Sequence, residues 1–168
     1  MEQKKLGIIG KNISYSFSKK YFEYKFQRLM LKNYAYDVYD LQDLSGIENI
    51  LKTPDLLGLN VTIPFKEKIL PYLDKLSDEA QKTGAVNCIL IKNGIKKGFN
   101  TDVYGFEKTL LLHRKASHDS AIILGNGGAA KAVQYVLEQH QIPYITVSRT
   151  TELNYENLSS EIVAKHPL

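Results

Sequence analysis

The stretch LGNGGAAKAV (124–133) does most to limit how this chain can fold. It closes an apolar run, SAIILG (120–125), and opens a segment of helical spacing, NGGAAKAVQYVLEQH (126–140). A second apolar run, PYITVSRT (143–150), follows. Strand, glycine turn, helix and strand in succession predict α/β architecture with mainly parallel strands. Gly125 and Gly127, with Ala130 in the third small position, fit the G-x-G-x-x-G/A pattern. Glycine lets the backbone turn tightly and approach a pyrophosphate, and the helix-start N–H groups then meet the phosphate charge. A glycine-rich turn without a ligand uses the same letters. The second strand ends in Ser148-Arg149-Thr150. An acidic residue there would hold the ribose 2′-hydroxyl of NAD, whereas a guanidinium suits a 2′-phosphate, so Arg149 favours NADP. Glu152 stands close by as the acidic competitor.

The same alternation runs through the first hundred residues. KLGIIG (5–10), YAYDVYDL (34–41) and LLGLNVTI (56–63) have strand composition. SKKYFEYKFQRLML (18–31) has Phe22, Phe26 and Leu29 at helical spacing, with Ser18 as the expected N-cap. LSGIENILK (44–52) and KEKILPYLDKL (66–76) read as helices, the second interrupted by Pro71. AVNCILIKNGIKKGFN (85–100) reads as two strands joined by Lys92-Asn93-Gly94, a hairpin signal. VYGFEKTLLLH (103–113) is an amphipathic helix that Thr101 or Asp102 would cap, SHDS (117–120) is a polar break, and NYENLSSEIVAKH (154–166) reads as a helix. The domain boundary is expected near residue 101.

Composition narrows the function classes. A formal net charge of +4 comes from scattered lysines, where a nucleic-acid reader would show a dense stripe with interleaved aromatics. The expectation is therefore no nucleic-acid partner, with small anionic ligands compatible. No apolar run approaches the ~18 residues of a membrane span, so no membrane partner is expected. The single cysteine, Cys88, excludes an internal disulfide, suits a reducing cytoplasm, and reads as a small buried residue. His113, His118, His140 and His166 lack zinc-type spacing, so no metal is expected.

Six motifs together resemble shikimate dehydrogenase: Ser16-x-Ser18, NVTIPFKE (60–67), GAVNCI (84–89), FNTDVYGF (99–106), GNGGAAKAV (125–133) and SRT (148–150). They occur in the family's order and cover most of the chain. The resemblance implies an N-terminal α/β substrate domain, residues 1–101, followed by the first part of a Rossmann-like NADP-binding domain, residues 102–168. It implies NADPH-dependent reversible reduction of 3-dehydroshikimate to shikimate, on the way to chorismate and the aromatic amino acids. Carried over, Ser16 and Ser18 hold the substrate carboxylate, Thr62, Lys66, Asn87 and Asp102 contact the ring hydroxyls, and Lys66 and Asp102 form the catalytic pair. The cofactor role falls on Gly125, Asn126, Gly127, Gly128, Ala129, Arg149 and Thr150. A homodimer is compatible with the resemblance.

Departures from the family pattern are also visible. Asn12, Tyr15 and Lys19 replace a proline, a histidine and a proline around the serines, and Thr151, Glu152 and Asn154 stand where the family often has a further basic residue shortly after the Arg149-Thr150 pair. The chain stops at KHPL, before the family's next strand, so a truncated or fragmentary enzyme is expected, with one sheet edge open and cofactor binding weak. The alternative is a non-catalytic shikimate- or quinate-sensing regulator of the same fold. Retention of both Lys66 and Asp102 favours the enzyme, since a sensor has no need of a proton-transfer pair.

Overall fold

The computed structural model describes residues 3–168, which cluster into two compact units. One runs to Gln81 and adds Val86–Phe99, while the other comprises Lys82–Ala85 and Asn100–Leu168.

The first unit is a mixed six-stranded sheet in the order β2-β1-β3-β5-β6-β4. Its strands are β1 (Lys4–Gly10), β2 (Tyr34–Asp40), β3 (Leu56–Val61), β4 (Lys75–Leu76), β5 (Cys88–Lys92) and β6 (Ile95–Phe99). The expectation of mainly parallel strands holds for β1 with β2 and β3, but β3–β5 and β5–β6 are antiparallel. The reason for the second pairing is the hairpin: Asn93 (φ 52°) and Gly94 (φ 77°) both take the positive φ that a two-residue reversal requires.

β1 is buried on both faces, as the unbroken run LGIIG requires. Ile9 faces a core with Ile47, Leu59, Val61, Phe65, Ile69, Val86 and Ile89. Ile8 faces a second cluster with Ile13, Phe26 and Tyr36, covered by α1 (Phe17–Arg28). The helix ends before Leu29, which is 56% exposed; Met30 turns into the left-handed region (φ 54°) and Leu31 packs on the core in its place. On the other side, α2 (Ile47–Leu51) supplies Ile47 and Leu51.

The expected helix over 66–76 does not form. Pro71 lacks an N–H and its ring clashes with the preceding turn. The segment makes a single 3-10 turn, Leu70–Tyr72, and then becomes β4, parallel to β6. A short helix that the sequence reading left out, α3 (Asp78–Thr83), follows.

The second unit contains α4 (Thr101–His113), β7 (Ala121–Leu124), α5 (Gly128–Gln139), β8 (Tyr144–Val147) and α6 (Ser160–Ala164). β7 and β8 pair in parallel, with α5 as the crossover. Their core joins Val103, Leu110, Ala121, Ile123, Ala132, Val136, Leu137 and Ile142. Beside β7, Ile122 N–H donates to the Leu168 carbonyl (2.9 Å) and Leu168 N–H to that of Ser120 (3.2 Å). The expected helix over 154–166 shrinks to its second half. Asn154 Oδ1 accepts from the N–H groups of Glu156 and Asn157, and Asn157 Oδ1 accepts from that of Asn154 (2.6 Å). These side chains offer the backbone an alternative to the helical ladder, which starts only after the Ser159 cap.

Candidate active site

Five of the expected substrate residues lie at one end of the first unit's sheet. Ser16 and Ser18 follow β1, Thr62 and Lys66 follow β3, and Asn87 precedes β5, which runs antiparallel to β3. Backbone bonds hold these segments against each other. Thr62 N–H donates to Ile9 O (2.9 Å), Lys11 N–H to Ile63 O (3.1 Å), Val61 N–H to Asn87 O (2.8 Å) and Val86 N–H to Lys66 O (2.7 Å). Phe65, 2% exposed, anchors the turn in the core, so Thr62 and Lys66 on either side are half-buried. Gly10 permits the close approach of β1, because a Cβ there would lie 2.5 Å from Thr62 Cγ2 and 2.8 Å from Ile13 Cγ2.

The cap of α1 is Ser16, not Ser18. Ser16 Oγ accepts from Ser18 N–H (3.3 Å), which leaves its own proton to donate to an anion at the helix start. No acidic residue stands in the first turn of this helix, so the N–H groups there suit a carboxylate. The loop before it is held by a residue that sequence reasoning missed. Asp40 accepts from the N–H groups of Asn12 (2.7 Å) and Ile13 (3.0 Å). Nothing local marks Asp40 for this role.

Asp102, half-buried, is the second residue of α4 in the other unit. Its expected capping role belongs to Asn100, whose Oδ1 accepts from Asp102 N–H (3.2 Å). Asn100 is 4% exposed, and its amide also donates to Thr83 Oγ1 (3.1 Å) and Ala85 O (3.1 Å). Asn100→Ala is expected to lower stability by about 2–3 kcal/mol, because it removes the cap and leaves buried partners unsatisfied. Denaturant unfolding followed by circular dichroism checks this; a loss below about 0.5 kcal/mol would show that water replaces the amide.

The expected cofactor residues of the second unit converge on two loops. Gly125 follows β7 with φ 117°, a backbone region in which side chains are strained, and donates its N–H to Val147 O (2.8 Å). Gly127 caps α5 without any side-chain hydrogen bond, and a Cβ there would meet nothing within 4 Å. Gly128 and Ala129 begin the helix, and no acidic residue stands in its first turn. Asn126 ties this loop to the one after β8 by donating from Nδ2 to Thr150 Oγ1 (2.8 Å). Buried Ser148 braces the second loop, accepting from Thr150 N–H (3.2 Å) and donating its own N–H to Thr151 Oγ1 (2.7 Å). Arg149 is exposed beside it. The uncapped helix start, the positive-φ glycine and the exposed guanidinium fit a phosphorylated dinucleotide.

Among the described residues, no group of three or more His, Cys, Asp or Glu side chains is placed to hold a metal ion, and no helix is long and apolar enough to cross a membrane.

Comparison with known proteins gives a consistent picture. Residues 8–89 match the shikimate dehydrogenase substrate binding domain. The chain is 39% identical over 163 residues to the NADP(+) shikimate dehydrogenase of Clostridium beijerinckii, a match that covers 95% of this chain and 60% of that protein. The chain thus spans about 60% of the length of the curated relatives it matches. Shikimate dehydrogenase from Thermotoga maritima superposes with a TM-score of 0.82 at 32% identity, over 96% of this chain and 65% of that one. The Thermus thermophilus enzyme, solved in complex with NADP(H) and shikimate, gives 0.77 at 32% identity, over 88% and 57%. Domain match, sequence identity and fold agree: this chain is similar over nearly its whole length to shikimate dehydrogenases, and its residues 8–89 match their substrate binding domain.

Proposed function

We propose that the chain carries the substrate- and nucleotide-binding machinery of an NADP-dependent shikimate dehydrogenase, which interconverts 3-dehydroshikimate and shikimate in chorismate and aromatic amino acid biosynthesis. The observation that carries this reading is the 39% identity to an NADP(+) shikimate dehydrogenase, maintained over 95% of the chain. Residues 1–101 take the substrate and 102–168 the nucleotide. A chain with one cysteine suits a reducing cytoplasm.

The chemistry assigns each residue a task. Ser16, Ser18 and the N–H groups at the start of α1 receive the ring carboxylate. Thr62 and Asn87 orient the ring hydroxyls. NADPH supplies the hydride to the ketone carbon. Lys66 gives a proton to the carbonyl oxygen as negative charge grows there, and Asp102 orients that ammonium and shares the proton. In the oxidation direction Lys66 takes the hydroxyl proton back. The start of α5 meets the pyrophosphate, and Arg149 with Thr150 meets the 2′-phosphate.

NADP-linked oxidation of shikimate, with quinate as the competing substrate, tests the reaction. Turnover with neither acid, together with undetectable shikimate binding by calorimetry, would overturn the proposal. Arg149→Ala is expected to weaken NADP by roughly 10- to 100-fold and NAD by less than about 3-fold, since one charge-assisted pair is worth about 1.5–3 kcal/mol. Competition binding of the two nucleotides reads this directly, and equal losses would move the 2′-phosphate away from Arg149.

A further inference from the structure

The reaction proposed above makes no use of the outer edges of the first unit's sheet, β4 and β2, and the chain treats these two edges differently. β4 is two residues long and contains Lys75. Short length and a lysine are the usual means of keeping an edge from pairing with another chain. β2 runs for seven residues without lysine, proline or glycine, and its register with β1 is unbroken. The ladder to β1 runs from Lys4 N–H on Asn33 O (2.8 Å) to Leu41 N–H on Gly10 O (2.8 Å), so it uses the backbone groups of Ala35, Asp37 and Tyr39. The N–H and carbonyl groups of Tyr36 and Val38 point the other way, where no strand of this chain lies. Tyr34 N–H is taken by the Leu31 carbonyl (3.3 Å), which leaves the Tyr34 carbonyl facing out.

We propose that β2 is a dimerisation edge: it pairs antiparallel with β2 of a second copy of this chain, about a two-fold axis at Tyr36. Such pairing closes the assembly at two chains and leaves only the blunted β4 edges free. Charge selects the register. An axis at Asp37 would set the two Asp37 carboxylates face to face in the close, non-hydrogen-bonded position, which is destabilising. An axis at Val38 would set Asp40 against Tyr36, and one at Ala35 would leave Val38 opposite Lys32, in the turn before the strand. With the axis at Tyr36, Asp37 faces Ala35 of the second copy. Tyr36 N–H then donates to the Tyr36 carbonyl of the second copy, and Val38 N–H to its Tyr34 carbonyl. Tyr34, Tyr36 and Val38 all belong to the apolar cluster that α1 covers. Tyr34 therefore meets Val38 of the second copy as an aromatic–β-branched pair, and the two clusters become continuous. The pairing uses none of the residues assigned to the reaction and stands or falls separately from it.

Sedimentation velocity over a concentration series of this chain reads the dimer, and amide hydrogen exchange at both ends of the series locates it. The expected result is a concentration-dependent dimer in which the Tyr36 and Val38 amides gain protection and those of β4 do not. Val38→Pro removes an outward donor without touching the ladder to β1, and is expected to weaken the dimer at least about 5-fold, since the axis counts the lost bond twice. Ala35→Lys sets an ammonium against Asp37 of the second copy and is expected to tighten the dimer about 2- to 30-fold, whereas Ala35→Asp is expected to weaken it by as much. A chain that remains monomeric at about 1 mM would overturn the proposal. So would a dimer indifferent to all three variants, one that protects other amides only, or one that Ala35→Lys and Ala35→Asp shift in the same direction. If Val38→Pro fails to fold by circular dichroism, the opposed responses of the two Ala35 variants decide.

Discussion

Lys66→Ala is expected to reduce turnover in NADP-linked shikimate oxidation by about 10²- to 10⁴-fold, the usual worth of a placed general acid–base group. Shikimate affinity is expected to fall by much less, roughly 10-fold or under, because the carboxylate contacts at Ser16 and Ser18 and the ring contacts at Thr62 and Asn87 are untouched. The asymmetry follows from the task assigned to the ammonium. A hydroxyl bound in the ground state needs only a hydrogen bond, whereas charge moving onto or off the oxygen needs a proton partner at the moment of hydride transfer. The backbone at Lys66 is held independently of its side chain by the Val86 N–H bond to its carbonyl (2.7 Å), so truncation is not expected to disturb the loop. Steady-state kinetics combined with calorimetric binding separates the two effects. A variant with near-normal kcat and a greatly raised KM would reduce Lys66 to a binding residue and remove the proton step from the proposal.

Phe65→Ala is expected to cost about 3–5 kcal/mol of stability, the range for deleting a fully buried aromatic side chain. Phe65 is 2% exposed and belongs to the same cluster as Ile9, Ile47, Leu59, Val61, Ile69 and Ile89. It also sits directly between Pro64 and Lys66, so the cavity would open under the loop that carries two expected site residues. Phe65→Leu retains most of the buried area and is expected to cost less than half as much. Urea unfolding of both variants, with shikimate binding measured well below the transition, distinguishes lost stability from lost geometry. A Phe65→Ala loss below about 1 kcal/mol would mean that the core closes over the site and that Phe65 does not hold the turn.

Much of this architecture was legible in local signals. β1, β7 and β8 are short apolar runs bounded by turn residues, and α1 and α5 carry apolar positions at helical spacing. The Asn93-Gly94 reversal is a matter of two residues that tolerate positive φ. Gly125 is legible for the same reason, since φ 117° at a strand end suits glycine and little else. Such features depend on a residue and its neighbours within one turn, which a sequence displays. The readings that failed were also local, but rested on competing effects of similar size. Pro71 broke a helix that apolar spacing favoured, and the paired side-chain bonds of Asn154 and Asn157 delayed α6. Serine 16 rather than Ser18, and Asn100 rather than Thr101 or Asp102, became caps because a cap is chosen by where the chain leaves the helical conformation, a matter of one or two residues.

The residues that brace the candidate site were not legible at all. Asp40 reaches back 28 residues to Asn12, Tyr36 reaches 24 residues forward to Asn60, and Asn100 joins Thr83 from 17 residues away. In the sequence each is an ordinary polar letter in a strand or a turn. The resemblance to shikimate dehydrogenase named the groups expected to meet a carboxylate and a ketone, and the glycine pattern with Arg149 named those expected to meet a phosphate. Which rotamers those groups hold, and which backbone N–H and carbonyl groups lock β1, β3 and β5 at a common end, depends on contacts between segments far apart in the chain. Those contacts form only when the sheet aligns the strands, so no local pattern encodes them.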